Sequence, residues 1–504
     1  MTGGTSIRSE DCKVDSLNMV QPKLTMDNHI HWLEPLSPQL TSPTQNSIPG
    51  HGILQLHTPL HEAVNRIKDE IDRVAGGNQW DDVKKITNPH EYVFLSLQRR
   101  MHKSLAAIQP LSRSYFKMIE LWDLLGLKPE HVAATAHSAE GPGGFLEAIQ
   151  ARTGHMTPMT AMTLRSTDKA IPGWRKSQAF LSRHPTIHIT YGADNTGNLY
   201  NLQNQAAFAA TAGRVDLYTA DGGFDFSADF NGQENTVQRL LVAEALAGLN
   251  TLKPGGTMIL KIFDTKNRAT IELLWLLAHC FTRTGLVKLQ SSRPANSERY
   301  WIGQGLHAHT PAWILRFLEQ LTATDAPEGW DQLFDPSPVP QHWIYPIQQL
   351  QEAIEAQQFN KIELTLGLIR TPSKSQVKAL LTENIHCSRD WCRRHRIPLN
   401  PRYEGLTEEA VVGQNLEEAL APFPALVGQK SSPALYPQPP THCVSLQPLP
   451  PRPPTVPAWR SALPPSVLGQ APSQTDGAKP PSGPPTPSQS PPASGRGHDS
   501  RESH

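Results

Sequence analysis

The chain has 504 residues, with 46 Lys+Arg against 46 Asp+Glu and a formal net charge of zero. That length allows two or three domains of roughly 100 to 200 residues each, and the balance excludes a histone-like polycation, so any nucleic-acid surface has to be a local patch. Five cysteines, Cys12, Cys280, Cys387, Cys392 and Cys443, make no disulfide framework and point to free thiols in a reducing, intracellular setting; no run reaches the roughly 18 apolar residues of a membrane span, and Met1 to Cys12 lacks a secretion signal.

Residues 1–58 mix Ser, Thr, Pro, Gln and Asn without apolar periodicity and read as a poorly ordered leader. Residues 59–110 read as a helical N-terminal extension, with Leu60, Val64, Ile67, Ile71 and Val74 at helical spacing and a second helical run over Glu91 to Ile108. Over residues 111–318 short β-rich runs alternate with helical patterns, the signature of an α/β domain. The strands are expected at Val132–His137, Met159–Leu164, Thr186–Tyr191, Val215–Ala220, Thr257–Phe263, Leu286–Leu289 and Arg299–Ile302, giving a seven-stranded, mostly parallel sheet with helices on both faces. Lys253-Pro254-Gly255-Gly256 stops the helix at Val237–Leu249 and turns the chain into the next strand. Residues 319–426 are expected to form a helical C-terminal subdomain. Residues 427–504 form a Pro-rich tail with runs such as Pro450-Pro451-Arg452-Pro453-Pro454, disordered or polyproline II. A proline-recognising partner domain is one candidate use for this tail, and a plain flexible extension is the other.

Five local features can carry chemistry. His137-Ser138-Ala139-Glu140-Gly141-Pro142-Gly143-Gly144-Phe145 is a glycine-rich strand-to-helix turn, which lets a ligand approach the backbone and presents N–H groups at a helix start. It lacks the Gly-Lys-Ser/Thr ending of a nucleoside triphosphatase loop. Asp221, in Asp216-Leu217-Tyr218-Thr219-Ala220-Asp221-Gly222-Gly223-Phe224, sits just past a central strand end, where open α/β sheets bind ligands. Lys261 lies in an apolar run, Met258 to Phe263, and a buried lysine has a lowered pKa suited to a base. Ser112-Arg113-Ser114-Tyr115-Phe116-Lys117 and Ser292-Arg293-Pro294-Ala295-Asn296-Ser297-Glu298 flank the first and last main strands.

In this order Lys117, Asp221, Lys261 and Glu298 resemble the Lys-Asp-Lys-Glu catalytic tetrad of the FtsJ-like ribose 2′-O-methyltransferases, and Ser292 to Glu298 is similar to the adrift-type branch that modifies capped mRNA in cells and viruses. The resemblance covers about Asn88 to Leu306. It implies a Rossmann-like methyltransferase fold, S-adenosylmethionine as cofactor, and capped mRNA as substrate, methylated at the first transcribed nucleotides. It also implies a cofactor loop of Glu140, Gly141, Pro142, Gly143, Gly144 and Phe145, with Asp194 on the adenine side and Asp221 at the reacting end. Asp168 is a second loop carboxylate, with ribose contact and plain solvated surface as its two readings. His137 departs from the family's aspartate at the end of the first strand, and Glu140 is the acid placed to substitute. Ribosomal or transfer RNA methylation and a catalytically inactive RNA-binding scaffold are the rival readings.

A ribose hydroxyl is a poor nucleophile at neutral pH, so Lys261 is expected to act as a base or as a cation that stabilises the developing alkoxide, with Lys117 pushing the Lys261 pKa down. Arg113 and Arg293 are the expected RNA contacts, with further basic positions at Arg99, Arg100, Lys103, Arg175, Lys176, Lys266, Arg268 and Arg299. Tyr92, Phe94, Tyr115 and Phe116 are candidates to stack on a methylated guanine. No metal is expected, because the spacing of His386, Cys387, Cys392 and His395 matches no usual zinc pattern. Capping or transcription machinery is the expected company. The setting is nucleus or cytoplasm, of the host cell if the chain is viral.

Overall fold

Short buried apolar runs between amphipathic stretches fold as strands between helices. The computed structural model describes residues 29–40, 58–74, 79–95, 103–154, 157–168, 171–224 and 232–426. In chain order these form β1 (His31–Trp32), α1 (Pro59–Val74), α2 (Gln79–Thr87), α3 (Ser114–Leu124), β2 (Thr135–Ser138), α4 (Gly144–Thr153), β3 (Met159–Met162), α5 (Gln178–Arg183), β4 (Ile187–Thr190), α6 (Leu202–Ala212) and β5 (Val215–Ala220). They continue as α7 (Gln233–Thr251), β6 (Leu252–Ile262), α8 (Arg268–Ala278), β7 (Phe281–Val287), β8 (Arg299–Leu306), α9 (Ala312–Ala323), α10 (Gln341–Arg370), α11 (Lys374–Arg394) and α12 (Glu408–Leu420).

The strands make one sheet in the order β1-β7-β8-β6-β5-β2-β3-β4. Pairings from β4 through β6 are parallel, while β8 runs antiparallel to both β6 and β7. The chain leaves β2 toward β3 and β4, then returns to place β5 on the other flank of β2. The crevice above β2 and β5 is therefore the topological switch point, where such sheets bind ligands.

Three expectations are corrected here. The sheet has eight strands among the described residues, because His31 and Trp32, inside the expected leader, pair antiparallel with Leu286 and Gly285 of β7. Instead of the helix expected over Glu91 to Ile108, the described part has a single 3-10 turn at Glu91–Val93 and an isolated bridge from Ala106 to Leu399. Lys253 to Gly256 does follow a helix end, but as a bulge at the start of β6 where Gly255 takes φ +83°. The tail at 427–504 and most of the leader lie outside the described residues.

Alternation along the strands splits the core in two. Leu217, Ile259, Tyr300 and Ile302 face α3 and α4, while Tyr218, Met258, Leu260 and Trp301 face α7, α8 and α10. A third cluster joins Val83, Ile86 and Tyr92 to Leu368, Val377, Leu381 and Val412, so the N-terminal extension and the C-terminal helices share one core. A buried polar seam ties them to the sheet: Arg299 donates to Gln351 and Asp264 (2.7 and 3.2 Å), and Lys266 Nζ lies 3.1 Å from Asp264 and 3.0 Å from His61. No helix of the described residues is long and apolar enough to cross a membrane.

Candidate active site at the strand ends

The four tetrad residues arrive from four separate elements and meet on one face of the sheet. Antiparallel register sets Tyr300 of β8 directly opposite Lys261 of β6, and Glu298, two residues earlier, projects to the same side. Lys117 comes from the first turns of α3 and donates to Glu298 Oε2 at 2.7 Å. Lys261 Nζ lies 3.4 Å from Asp221 Oδ1 and donates to the Asp221 carbonyl at 2.7 Å. The Asp221 carboxylate also accepts from Ser114 Oγ (2.7 Å) and Tyr300 OH (2.9 Å), which fixes its plane.

These two ion pairs feel one another. Burial pushes the Glu298 carboxyl up, but Lys117 and Lys261 outweigh it and hold it well below the usual range. Burial likewise pulls Lys261 down, yet its neighbours, led by the Asp221 and Glu298 carboxylates, more than offset it and leave the ammonium above the ordinary lysine value. The expected lowering of Lys261 is therefore overturned: its dominant neighbours are carboxylates, so at neutral pH it stands as a cation. The loop bearing Glu298 is pinned from below by Lys288, whose Nζ donates to the carbonyls of Asn296 and Glu298 and to Ser292 Oγ, while Ser292 donates to Glu298 Oε1 at 2.9 Å. Burial pushes Lys288 down to about 7.

The glycine-rich turn leads from β2 into α4. Gly143 takes φ +103° and caps the helix with no side-chain acceptor, so the first α4 amides point outward without a cap. A Cβ on Gly144 would come within 2.3 Å of Ser112 Oγ and 2.8 Å of the Tyr115 nitrogen, so α3 can lie this close only against glycine. Phe145 is buried, its ring 6.0 Å from that of Tyr300, and so belongs to the wall rather than to a ligand surface.

His137 is fully buried, with Nε2 2.7 Å from Thr135 Oγ1 and Nδ1 2.8 Å from Thr219 Oγ1. Thr219 donates to Glu140 Oε1, so it accepts from His137 and relays that contact to the acid. Ser112 Oγ is a buried polar atom without a hydrogen-bond partner, and Glu140 Oε2, also buried, has only His137 Nδ1 at 3.5 Å as a charged neighbour. Uncapped amides, orphaned polar atoms and a glycine-tight floor together fit a small ligand with a charged end lying across the switch point. Asp194 accepts from Thr196, Asn201 and Asn204 of its own loop, and these hydrogen bonds hold it well below the usual carboxylate range. Leu164, 41% exposed and with its Cα against Gly197 of that loop, is an apolar surface that no sequence signal singled out.

Arg113 and Arg293 converge on Glu91. Arg293 binds it in a fork at 3.0 and 2.8 Å, and Arg113 lies 3.3 Å away while also donating to the carbonyls of Phe94 and Ser291. Although burial pushes Glu91 up, the two guanidiniums win and hold it at about 2. Arg293 keeps a third of its side chain exposed. Other basic positions are also used internally: Lys103 pairs with Glu418, Lys266 is buried and Arg268 pairs with Glu272, while Arg99 and Arg100 lie outside the described residues. Tyr92, Phe94, Tyr115 and Phe116 are all buried core and present no ring for stacking. The aromatic exposed next to the site is Phe224, at 47%, directly after the Asp221 turn. His386 pairs with Glu408 and His395 with Asp123, and no metal-binding cluster occurs among the described residues.

Residues 110–306 match the model of the FtsJ-like methyltransferase family. The chain is similar to the zebrafish (Danio rerio) cap-specific mRNA (nucleoside-2′-O-)-methyltransferase 1, 34% identical over 182 residues, covering 34% of this chain and 21% of that protein. It is similar to the zebrafish cap-specific mRNA (nucleoside-2′-O-)-methyltransferase 2, 26% identical over 321 residues, covering 60% of this chain and 42% of that one. The African swine fever virus protein named "Probable methyltransferase EP424R" is 28% identical over 268 residues, covering 49% of this chain and 62% of its own. The match thus spans a fifth to under two thirds of these relatives' length.

Proposed function

With residues 110–306 an FtsJ-like methyltransferase domain, we propose that the chain transfers a methyl group from S-adenosylmethionine to a ribose 2′-hydroxyl of capped mRNA, at the first transcribed nucleotides. The observation that carries this reading is the pairing of Lys117 with Glu298 and of Lys261 with Asp221 on one face, beside the glycine-rich turn.

When bound, S-adenosylmethionine supplies a methyl on a sulfonium, already activated for displacement. This chain's residues then have to hold the acceptor in line and stabilise the charge that develops on it. Lys261, a firm cation, donates to the 2′-oxygen and stabilises its alkoxide character, which is the cation rather than the base of its two expected roles. Asp221 orients Lys261 and lies where it can accept the hydroxyl hydrogen, with Ser114 and Tyr300 keeping the carboxylate plane fixed. As the hydroxyl oxygen attacks, its hydrogen becomes acidic and passes to the Asp221 carboxylate and from there to solvent, while the electrons of the breaking S–C bond stay on sulfur. Lys117 and Glu298 hold the far side of the ribose. Glu140, backed by His137 and Thr219, is the acid for the ammonium end of the cofactor; Gly141, Pro142, Gly143 and Gly144 give it room, and Asp194 shapes the loop beside Leu164. Arg293 offers its exposed edge to a phosphate, and Arg113 holds that arginine's partner Glu91 in place.

Transfer of labelled methyl to matched capped and uncapped RNAs tests this reading. Label on the capped RNA alone, lost in Lys261→Ala, is expected; equal labelling of uncapped RNA would move the substrate to ribosomal or transfer RNA, and binding without any labelling would favour the scaffold.

A further inference from the structure

Glu244 belongs to none of the motifs above, yet it lies against the centre of the site. It projects from α7 and is 2% exposed. A Cβ placed on Gly222 would come within 2.1 Å of Glu244 Oε1 and 3.0 Å of the Ala139 side chain, so the carboxyl is packed directly beneath the Asp221-Gly222-Gly223 turn. On the next residue the crowding comes from the other face of the sheet, since a Cβ on Gly223 would lie 3.3 Å from Lys261 Nζ. One peptide group is gripped from both sides: its carbonyl, on Asp221, accepts from Lys261 at 2.7 Å, and its N–H, on Gly222, acts as a backbone donor to Glu244.

We propose that Glu244 is a positioning residue of the methyl-transfer site: from the face opposite Lys261 it holds the Asp221–Gly222 peptide, and so fixes where the Asp221 carboxylate and the Lys261 ammonium stand relative to each other. The inference rests on the functional reading above and adds a fifth residue to it. An acid in this place works as its neutral form. Burial raises its pKa well above the usual range, Lys261 from β6 opposes that, and Asp221 and Glu140 from the turns after β5 and β2 reinforce it. The other titratable groups facing it are the phenols of Tyr218 and Tyr200, themselves raised by burial and so uncharged. Ionised, Glu244 would add a negative charge beside Asp221 and draw the field of Lys261 away from the acceptor oxygen.

The test compares Glu244→Met, which keeps the volume, and Glu244→Gln, which keeps the acceptor but cannot ionise, with the full-length wild type. The rate of methyl transfer to capped RNA is followed from neutral to alkaline pH, with S-adenosylhomocysteine affinity and melting temperature as controls. Glu244→Met is expected to bind S-adenosylhomocysteine nearly as the wild type does but to lose about tenfold or more in kcat, with a much smaller change in KM for RNA. Glu244→Gln is expected to restore most of that rate and to abolish the alkaline fall of the wild type. Wild-type kcat in Glu244→Met would overturn the proposal, as would a Gln variant no better than the Met variant. Carbon-13 spectra of glutamate-labelled protein give a readout independent of activity. A carboxyl that titrates above the usual glutamate range and is missing in Glu244→Gln is expected, and its absence would contradict the proposal even if no RNA were methylated.

Discussion

Single residues decide this site through contacts that span long stretches of chain. Gly144→Ala drives a methyl into Ser112 and the α3 backbone; we expect a loss of about 1–3 kcal/mol in denaturant unfolding and weaker S-adenosylhomocysteine binding by calorimetry. Glu91 gives a pH-dependent case. Its folded pKa, about 2, lies below its ordinary 4.5, so its stabilisation is complete above the ordinary value and is lost as pH falls toward the folded one. Glu91→Gln leaves two partly buried arginines short of a counter-charge and should cost about 3 kcal/mol near neutral pH, with a shallower loss of stability between those two pH values than the wild type. The tetrad was legible because its four residues lie in recognisable local motifs. Ser114, Tyr300, Lys288 and Glu244 were not, since each acquires its role from a partner that only packing brings near, such as Tyr300 on Asp221 79 positions away. Around Lys261 the apolar run pointed to a lysine out of solvent, and its side chain is 12% exposed, but the carboxylates that set its charge come from other elements.

Among the elements, β5 was legible to the residue because Val215 to Ala220 is buried throughout except at Asp216. β1 was invisible, since two residues carry no alternation. It nonetheless covers the edge of β7: a Cβ on Gly285 would strike Ile30 and the His31 carbonyl, which marks how closely the two backbones lie. A chain starting at residue 41 should therefore melt lower and aggregate through the uncovered β7 edge, as read by thermal denaturation and light scattering. The helix expected over Glu91 to Ile108 fails for a physical reason. Glu91 is committed to Arg113 and Arg293, and Leu105 and Ala106 bond back to Tyr92 and Val93, so the segment folds on itself instead of coiling. Opposite it, Trp391 of α11 packs edge-on against Phe116 and donates to Glu120 of α3, the helix that carries Lys117. Trp391→Ala should cost about 3–5 kcal/mol in denaturant unfolding.

At the scale of the molecule, the domain that matches the family is not self-sufficient. Trp343, Ile344, Ile347, Leu350 and Ile354 of α10 belong to the same core as the sheet and α8, and the helices before and after the domain share a core with each other. A fragment limited to residues 110–306 would expose that apolar face, and we expect it to lack the cooperative melting of the whole chain. That both flanks carry helices was readable from their amphipathic spacing; that α10 would join the core of the sheet, and that the two flanks would pack on one another some 280 residues apart in sequence, was not. The proposed reaction places a methyl group on the ribose oxygen next to a cap. Its most direct test is transfer of labelled methyl to three capped RNAs differing only at the first transcribed nucleotide, which carries a ribose 2′-hydroxyl, a 2′-hydrogen or a 2′-O-methyl group. Labelling of the first alone, abolished by Lys261→Ala, is predicted; undiminished labelling of the 2′-hydrogen and 2′-O-methyl RNAs would place the methyl elsewhere and contradict the account.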